Sequence, residues 1–261
     1  MSFFLYIFSK LLYNLYNRPF VNGSGNQKTF LFVESKSLYS ELMLRVLISG
    51  SLVIISDGDT ESFKEHLNMS KKIHLTGIID VIVYFISVGV FLISKTDIAL
   101  TIWELMTVIS GPIVLFVLLE LSNRISCPNL NRRAMQVFMG CTCALTGAAH
   151  IVNIAVTRRL IREGVAVPLY FQIGQWPSVE MAVDYLAWGF FMGLAFICLG
   201  IPVSSTDKTT RSLKMISLIN GILCLIGFIG ALFINENIWY LAPMGYGFGL
   251  LILCIIRLRK D

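Results

Sequence analysis

The sequence predicts an all-α fold: a polytopic integral membrane bundle of about six transmembrane helices. A small cytoplasmic N-terminal segment of uncertain α/β structure precedes it. Of the 261 residues, 56% are hydrophobic and only 14% are charged, whereas a soluble domain carries about 25% charged residues. The mean hydropathy is +0.74, and six apolar stretches are long enough to cross about 30 Å of hydrocarbon. These observations argue against a soluble enzyme and against an intrinsically disordered chain.

Residues 1–72 form the first predicted part, an interfacial helix followed by a small cytoplasmic segment. Residues 2–16 are mostly apolar but lack the basic start and cleavage pattern of a secretory signal. They therefore favour an interfacial amphipathic helix, and residues 22–27 favour a turn-rich linker. The remainder predicts either a half-inserted hairpin around 42–55 or a small β-α-β-α unit. The elements of that unit would be 29–35, 38–49, 51–56 and 60–68.

Residues 73–261 form the second predicted part, a six-helix transmembrane domain. Helices are expected because a segment inside lipid must satisfy its own backbone hydrogen bonds. Pro112 should kink the second helix, since proline removes a backbone hydrogen bond. The predicted spans are 73–94, 98–121, 134–157, 179–201, 213–234 and 238–256.

Small residues recur four apart on four of these helices and predict close helix packing in lipid. Contact between subunits is the alternative, so a homo-oligomer or a partner subunit stays open. The small residues are Gly140, Ala144 and Ala148 on helix three, Gly189 and Gly193 on helix four, Gly227 and Ala231 on helix five, and Gly245 and Gly249 on helix six.

Basic residues and tryptophans predict the orientation. Twelve Lys and Arg residues flank the spans on one side against four on the other, which places both termini in the cytoplasm. Trp103, Trp176 and Trp239 fall near the predicted outer boundary, where aromatic rings collect. The predicted location is the cell membrane, with the loop at 158–178 lying over the outer face.

Several functional classes have no support in the sequence. The net charge of +5 fits topology and lipid headgroups, and the absence of a basic stripe interleaved with aromatics argues against nucleic-acid binding. The six cysteines show no disulfide or zinc spacing. No recognised catalytic or transport motif occurs, so no cofactor is predicted.

Polar residues inside the predicted spans are the candidate functional residues, because a charge at mid-bilayer is costly and seldom faces lipid. Five of them lie within about 10 Å of the outer ends of helices two, three and four, at a rise of about 1.5 Å per residue. Spacings of three or four residues place members of one helix on one face. This outer group comprises Glu104, His150, Asn153, Glu180 and Asp184.

A second, inner polar group consists of Asp80 and Asn220, each about 10 Å from the inner end of its helix. Glu120 and Arg124 are four residues apart near the same side and predict a solvated ion pair.

The outer group predicts a polar pocket for a small ligand, an ion or a proton, as in a transporter, channel subunit or sensor. An imidazole beside buried carboxylates suits proton coupling. The same residues could simply link helices. An intramembrane metal-dependent hydrolase, built on His150, Glu104 and Asp184, is a further alternative, so the metal stays unknown. A non-catalytic accessory subunit is the last alternative.

Overall fold

The bundle consists of six helices in the described part of a computed structural model, which covers residues 60–174, 176–201 and 207–259. All six are long and apolar enough to cross a membrane, and no strand occurs among the described residues. Their bounds are α1 Thr60–Ser94, α2 Asp97–Arg124, α3 Asn129–Arg162, α4 Val179–Gly200, α5 Lys208–Phe233 and α6 Glu236–Leu258.

The helices follow one another around a ring. Each packs against the next along the chain, and the last segment of α6 packs against α1. We call the end that carries the 163–178 connection the loop end. The opposite end, with Arg124, Arg132 and Arg257, is the basic end.

Side-chain caps set where three helices begin. Thr96, Ser178 and Asp207 each accept a hydrogen bond from the backbone amide three residues further on, at 3.3, 3.1 and 2.9 Å. Such caps satisfy amides that lack a partner in the first turn. They account for the starts of α2, α4 and α5.

Several helices extend beyond the predicted spans, and the extensions of α1 and α3 change the predicted parts of the chain. The predicted helix at 60–68 and the predicted span at 73–94 form one continuous helix, α1, so the boundary drawn after residue 72 falls within it. The first five residues of the predicted outer loop, Arg158–Arg162, continue α3. The predicted interfacial helix, linker, strands and helix between residues 2 and 56 lie outside the described residues.

Apolar side chains cover the outside of the ring. Ile93, Phe233 and Ile98 are 88%, 79% and 70% exposed, and further large apolar side chains are exposed on all six helices. A soluble monomer seldom shows a continuous apolar surface of this kind. The surface is compatible with a lipid environment.

The interior differs between the two ends. Toward the basic end most of it is apolar, including the fully buried Leu118, Met135 and Phe196, and His74 and Ser122 are buried there as well. Polar side chains are buried nearer the loop end, including the fully buried Glu104 and His150. The buried carboxylate and imidazole of the candidate site therefore lie in the half of the ring nearer the loop end.

Three helices contain a π-helical turn, where one extra residue per turn rotates the side chains that follow. These turns are Asn153–Thr157 in α3, Leu186–Phe191 in α4 and Met244–Gly249 in α6. In contrast, α2 is one α-helix through Pro112. Because π-turns are frequent at functional sites, the polar residues that they carry are of particular interest.

The small-residue stripes divide into two kinds. A Cβ at Gly227 would lie 2.7 Å from the Ala242 amide, and one at Gly193 would lie 3.1 Å from the Gly221 carbonyl. These glycines allow close helix contact, as predicted. The stripe of Gly140, Ala144 and Ala148 on α3 is instead exposed, and a Cβ at Gly140 would meet nothing within 4 Å.

Candidate functional site

His150 lies between two carboxylates from neighbouring helices. Its Nδ1 atom is 3.7 Å from Oε1 of Glu104 on α2, and its Nε2 atom is 3.4 Å from Oδ1 of Asp184 on α4. The imidazole and the Glu104 side chain are buried, whereas Asp184 is 14% exposed. Both distances exceed an ordinary hydrogen bond of about 2.9 Å but suit an ion pair. Three consecutive helices thus converge at one level.

Glu104 is held on both of its oxygens. The Asn153 amide nitrogen donates a short hydrogen bond to Oε1, and the Arg158 guanidinium lies 3.1 Å from Oε2. The Glu104 side chain is 0% exposed, and a buried carboxylate of this kind is stable only when it is paired and hydrogen-bonded. Asn153 and Arg158 therefore fix the position of the carboxylate that faces His150.

Arg158 is a site residue that the sequence analysis missed. Its guanidinium also donates to the Thr101 hydroxyl at 2.7 Å and to the Asp97 carbonyl at 3.1 Å. The predicted third span ends at residue 157, which places Arg158 among the cations of the outer loop. The sequence contains a pattern that indicates this longer helix. His150, Asn153, Thr157 and Arg158 lie at helical spacing and continue one polar face.

Glu180 joins the same cluster through Thr157. The Thr157 hydroxyl, at the end of the π-turn in α3, donates to Glu180 Oε1 at 3.0 Å. Glu180 stands in the first turn of α4, directly after the Ser178 cap, and is 5% exposed. The structure thus places Glu180 and Asp184 on the face of α4 that meets α3. We call Glu104, His150, Asn153, Thr157, Arg158, Glu180 and Asp184 the outer cluster.

Negative charge exceeds positive charge in the outer cluster. Glu104, Glu180 and Asp184 supply three carboxylates, and Arg158 supplies one permanent positive charge. His150 adds a second positive charge only when it is protonated. Away from water, an acidic excess is costly unless protons or cations offset it. The arrangement is therefore chemically suited to binding a proton or a cation.

Aromatic rings surround the outer cluster toward the loop end. The Trp103 ring meets the His150 imidazole edge-on, with centroids 6.3 Å apart. Trp176, from the 163–178 connection, stacks on Tyr185 at 5.0 Å, and Tyr185 stacks on Trp239 at 3.9 Å. This stack fastens the connection to α4 and α6, next to Asp184. The connection is thus packed against the bundle end that carries the cluster.

The two residues of the predicted inner group have different surroundings. Asp80 on α1 accepts a hydrogen bond of 2.9 Å from the Ser110 hydroxyl on α2. Asn220 on α5 packs against Gly245 and Gly249 of α6. No hydrogen bond joins Asp80 to Asn220 in the described part of the chain, and the buried Asn220 amide nitrogen has no hydrogen-bond partner there.

Glu120 and Arg124 form the expected ion pair, with Arg124 Nε 2.9 Å from Glu120 Oε1. The prediction that this pair is solvated was wrong for Glu120, whose side chain is only 7% exposed. Packing against neighbouring helices covers the carboxylate, while the longer Arg124 side chain reaches a more open position.

The donor set gives the metal alternative no support. The described residues contain no group of three or more His, Cys, Asp or Glu side chains that could hold a metal ion. In the outer cluster, Glu104 is already bound by Asn153 and Arg158. A metal-dependent hydrolase would need several free donors around one open position.

Comparison with protein-family models, with curated proteins and with solved structures found no match.

Proposed function

We propose that this chain is a multi-pass membrane protein that binds and releases protons at the outer cluster, as a proton-coupled transporter or a proton sensor. The observation that carries the proposal is His150, whose imidazole is buried in an apolar bundle between the carboxylates of Glu104 and Asp184. Histidine changes charge between about pH 5 and pH 8. A proton bound there would be shared between three helices.

The exposed apolar surface supports a membrane environment. Six helices are long and apolar enough to span a bilayer, and their outward side chains are predominantly apolar. Intramembrane ionisable residues of such bundles usually face the interior and mark proton, ion or ligand sites. In the proposed orientation, the basic end faces the cytoplasm and the loop end faces outward.

The individual residues have distinct roles in the proposed proton binding. Arg158 is a permanent charge that holds Glu104 in place, so Glu104 acts as a fixed anion beside the imidazole. The Asp184 side chain is more exposed than those of Glu104 and His150. It is the group through which protons from the loop end would reach His150. Glu180 lies further along the same helix face and would receive protons through Thr157.

The test is a pH titration of the purified protein in lipid nanodiscs with nitrogen-15-labelled histidine. The chain has three histidines, His66, His74 and His150, and His150→Gln assigns the resonance of the cluster. The His150 signal should report gain of a proton between about pH 8 and pH 5. Glu104→Gln and Asp184→Asn each remove a negative charge near the ring. Both variants should therefore leave His150 less protonated at a given pH.

His74 is the internal control for this titration. It lies on α1 toward the basic end, far along the helix from the outer cluster, so its resonance should not respond to either carboxylate variant. A His150 that keeps one protonation state over this pH range in the folded protein would contradict the proposal. The cluster would then be a structural link between three helices.

A further inference from the structure

A cavity lies in the bundle interior beside Asp80, between α1, α2, α4 and α6. Its polar lining residues are Asp80, Ser110, Tyr84, Trp188 and Tyr246. Ser110 is six residues beyond Glu104 on α2, so the cavity lies about 9 Å further from the loop end than the outer cluster does. The π-turns of α4 and α6 carry Trp188 and Tyr246 into this region.

The cavity contains an unpaired hydrogen-bond donor. Trp188 is 4% exposed, and its indole Nε1 has no hydrogen-bond partner among the described residues. Asp80 is likewise 4% exposed, and Ser110 Oγ is the donor to its Oδ1 atom. Buried polar groups of this kind are usually satisfied by protein or by ordered water.

The volume of the cavity suits a single water molecule. Measured as the space open to the centre of a water molecule, it is about 20 Å³. One water needs about 10–15 Å³ by the same measure and two to four polar partners. The Asp80 carboxylate, the Trp188 indole and the two tyrosine hydroxyls are among the polar groups that the lining residues carry.

Tyr84 connects the level of the cavity with the level of the outer cluster. Its side chain lines the cavity and lies close to Trp103, Thr107 and Tyr246. Trp103 and Thr107 belong to the turn of α2 that carries Glu104, and the Trp103 ring approaches His150. The tyrosine hydroxyl can both donate and accept a proton.

We propose that Asp80 is a second, inner proton-binding site, and that one water molecule in this cavity links its carboxylate to Tyr84. This inference rests on the proposed function of the outer cluster. When a proton reaches Asp80, an O–H bond forms on the Asp80 carboxylate as one O–H bond of the water breaks. The water regains a proton as the Tyr84 O–H bond breaks, and Tyr84 is reprotonated from the outer cluster. Asp80 gains one proton and the outer cluster loses one, and no electrons are transferred.

The titratable groups around Asp80 come from two helices. Tyr84 lies on α1 itself, and α6 contributes Tyr246 and the thiol of Cys254. From α2 and α4 the facing polar groups are the Ser110 hydroxyl and the Trp188 indole, which do not titrate. Asp80 is the one carboxylate among the groups named here, so its deprotonated form is the acceptor for a proton that leaves the outer cluster.

The test uses the full chain in proteoliposomes that contain a pH-sensitive dye, with an acid jump outside. The wild type should acidify the lumen. Asp80→Asn should abolish this movement while the His150 titration in nanodiscs is retained. Ser110→Ala removes the hydrogen bond to Asp80, and Trp188→Phe removes a donor to the proposed water. Each should slow the movement about tenfold, since about 1.4 kcal/mol corresponds to a factor of ten. Glu120→Gln is the matched carboxylate control, far from the cavity, and should move protons at the wild-type rate.

The outcomes separate the two proposals. If Asp80→Asn moves protons at the wild-type rate, or if the wild type titrates at His150 without moving protons, the inner site is wrong and the outer site stands. If His150 does not titrate in the wild type, the proposed function fails and the inner site fails with it. If Asp80→Asn does not fold, Ser110→Ala and Trp188→Phe decide, and wild-type rates in both would overturn the inner site.

Discussion

Arg158 Nη2 lies 3.1 Å from Glu104 Oε2, and this ion pair joins the last turns of α3 to α2. The same guanidinium reaches Thr101 and the Asp97 carbonyl. It therefore holds α2 and α3 together over more than one helical turn. This contact positions the carboxylate beside His150 and depends on α3 continuing beyond its π-turn.

Arg158→Ala should destabilise the protein strongly. Removal of the guanidinium leaves a buried carboxylate without its counter-ion, which typically costs about 3–5 kcal/mol. Unfolding in detergent micelles, followed by circular dichroism, measures the change. Glu104→Gln in the Arg158→Ala background should recover part of the loss, because the uncompensated charge is then absent.

Arg159→Ala is the control for that experiment. Arg159 is the next residue and pairs with Glu163, but the two side chains are 65% and 41% exposed. A surface ion pair contributes about 0–1 kcal/mol, so this variant should be almost as stable as the wild type. Equal stability losses for the two arginines would show that Arg158 does not have the structural role described.

Gly227→Ala should destabilise the contact between α5 and α6. The added Cβ would lie 2.7 Å from the Ala242 amide and 2.9 Å from the Ala242 Cβ, so backbone would have to move. Overpacking of this kind costs about 1–3 kcal/mol. The free energy of unfolding in micelles is again the measured quantity.

Gly140→Ala is the matched substitution on an open helix face. A Cβ there meets nothing within 4 Å, and alanine is favoured over glycine in a helix by up to about 1 kcal/mol. The variant should be as stable as the wild type or slightly more stable. A clear loss of stability would indicate that this face of α3 is covered by another chain.

The proposed orientation predicts opposite reactivities for cysteines placed at the two ends. Val165→Cys, in the connection at the loop end, should react with a membrane-impermeant maleimide from outside intact cells. Arg259→Cys, at the basic end, should react only after the membrane is opened. Both positions are exposed. Reaction of both from the same side would contradict the topology on which the outer and inner sites depend.

The outer cluster could be anticipated in large part from depth along each helix. A regular rise per residue puts Glu104, His150 and Asp184 at one level, and the structure brings these side chains within ion-pair distance. Arg158 was missed because its environment depends on where α3 ends. The hydropathy pattern suggested an end at Thr157, whereas contacts with α2 allow the helix to continue.

The inner residues show what depth alone cannot predict. Asp80 and Asn220 lie at similar levels, yet Asp80 faces Ser110 and the cavity while Asn220 packs against Gly249. Their depths are set by position in the chain. Their partners are set by the rotation of each helix and by the order of helices around the ring, neither of which the apolar pattern specifies.

The sequence by itself determined that the chain has six helices able to cross a bilayer and which polar residues share a level, because both follow from residue type and from a constant rise per residue. Tertiary structure alone decided which of those residues meet. The π-turns rotate the ends of α3, α4 and α6, and the close approach of glycines sets how the ring closes. The energies of contacts between residues distant in the chain depend on how all six helices pack together. Residue type and depth along a single helix therefore do not determine them.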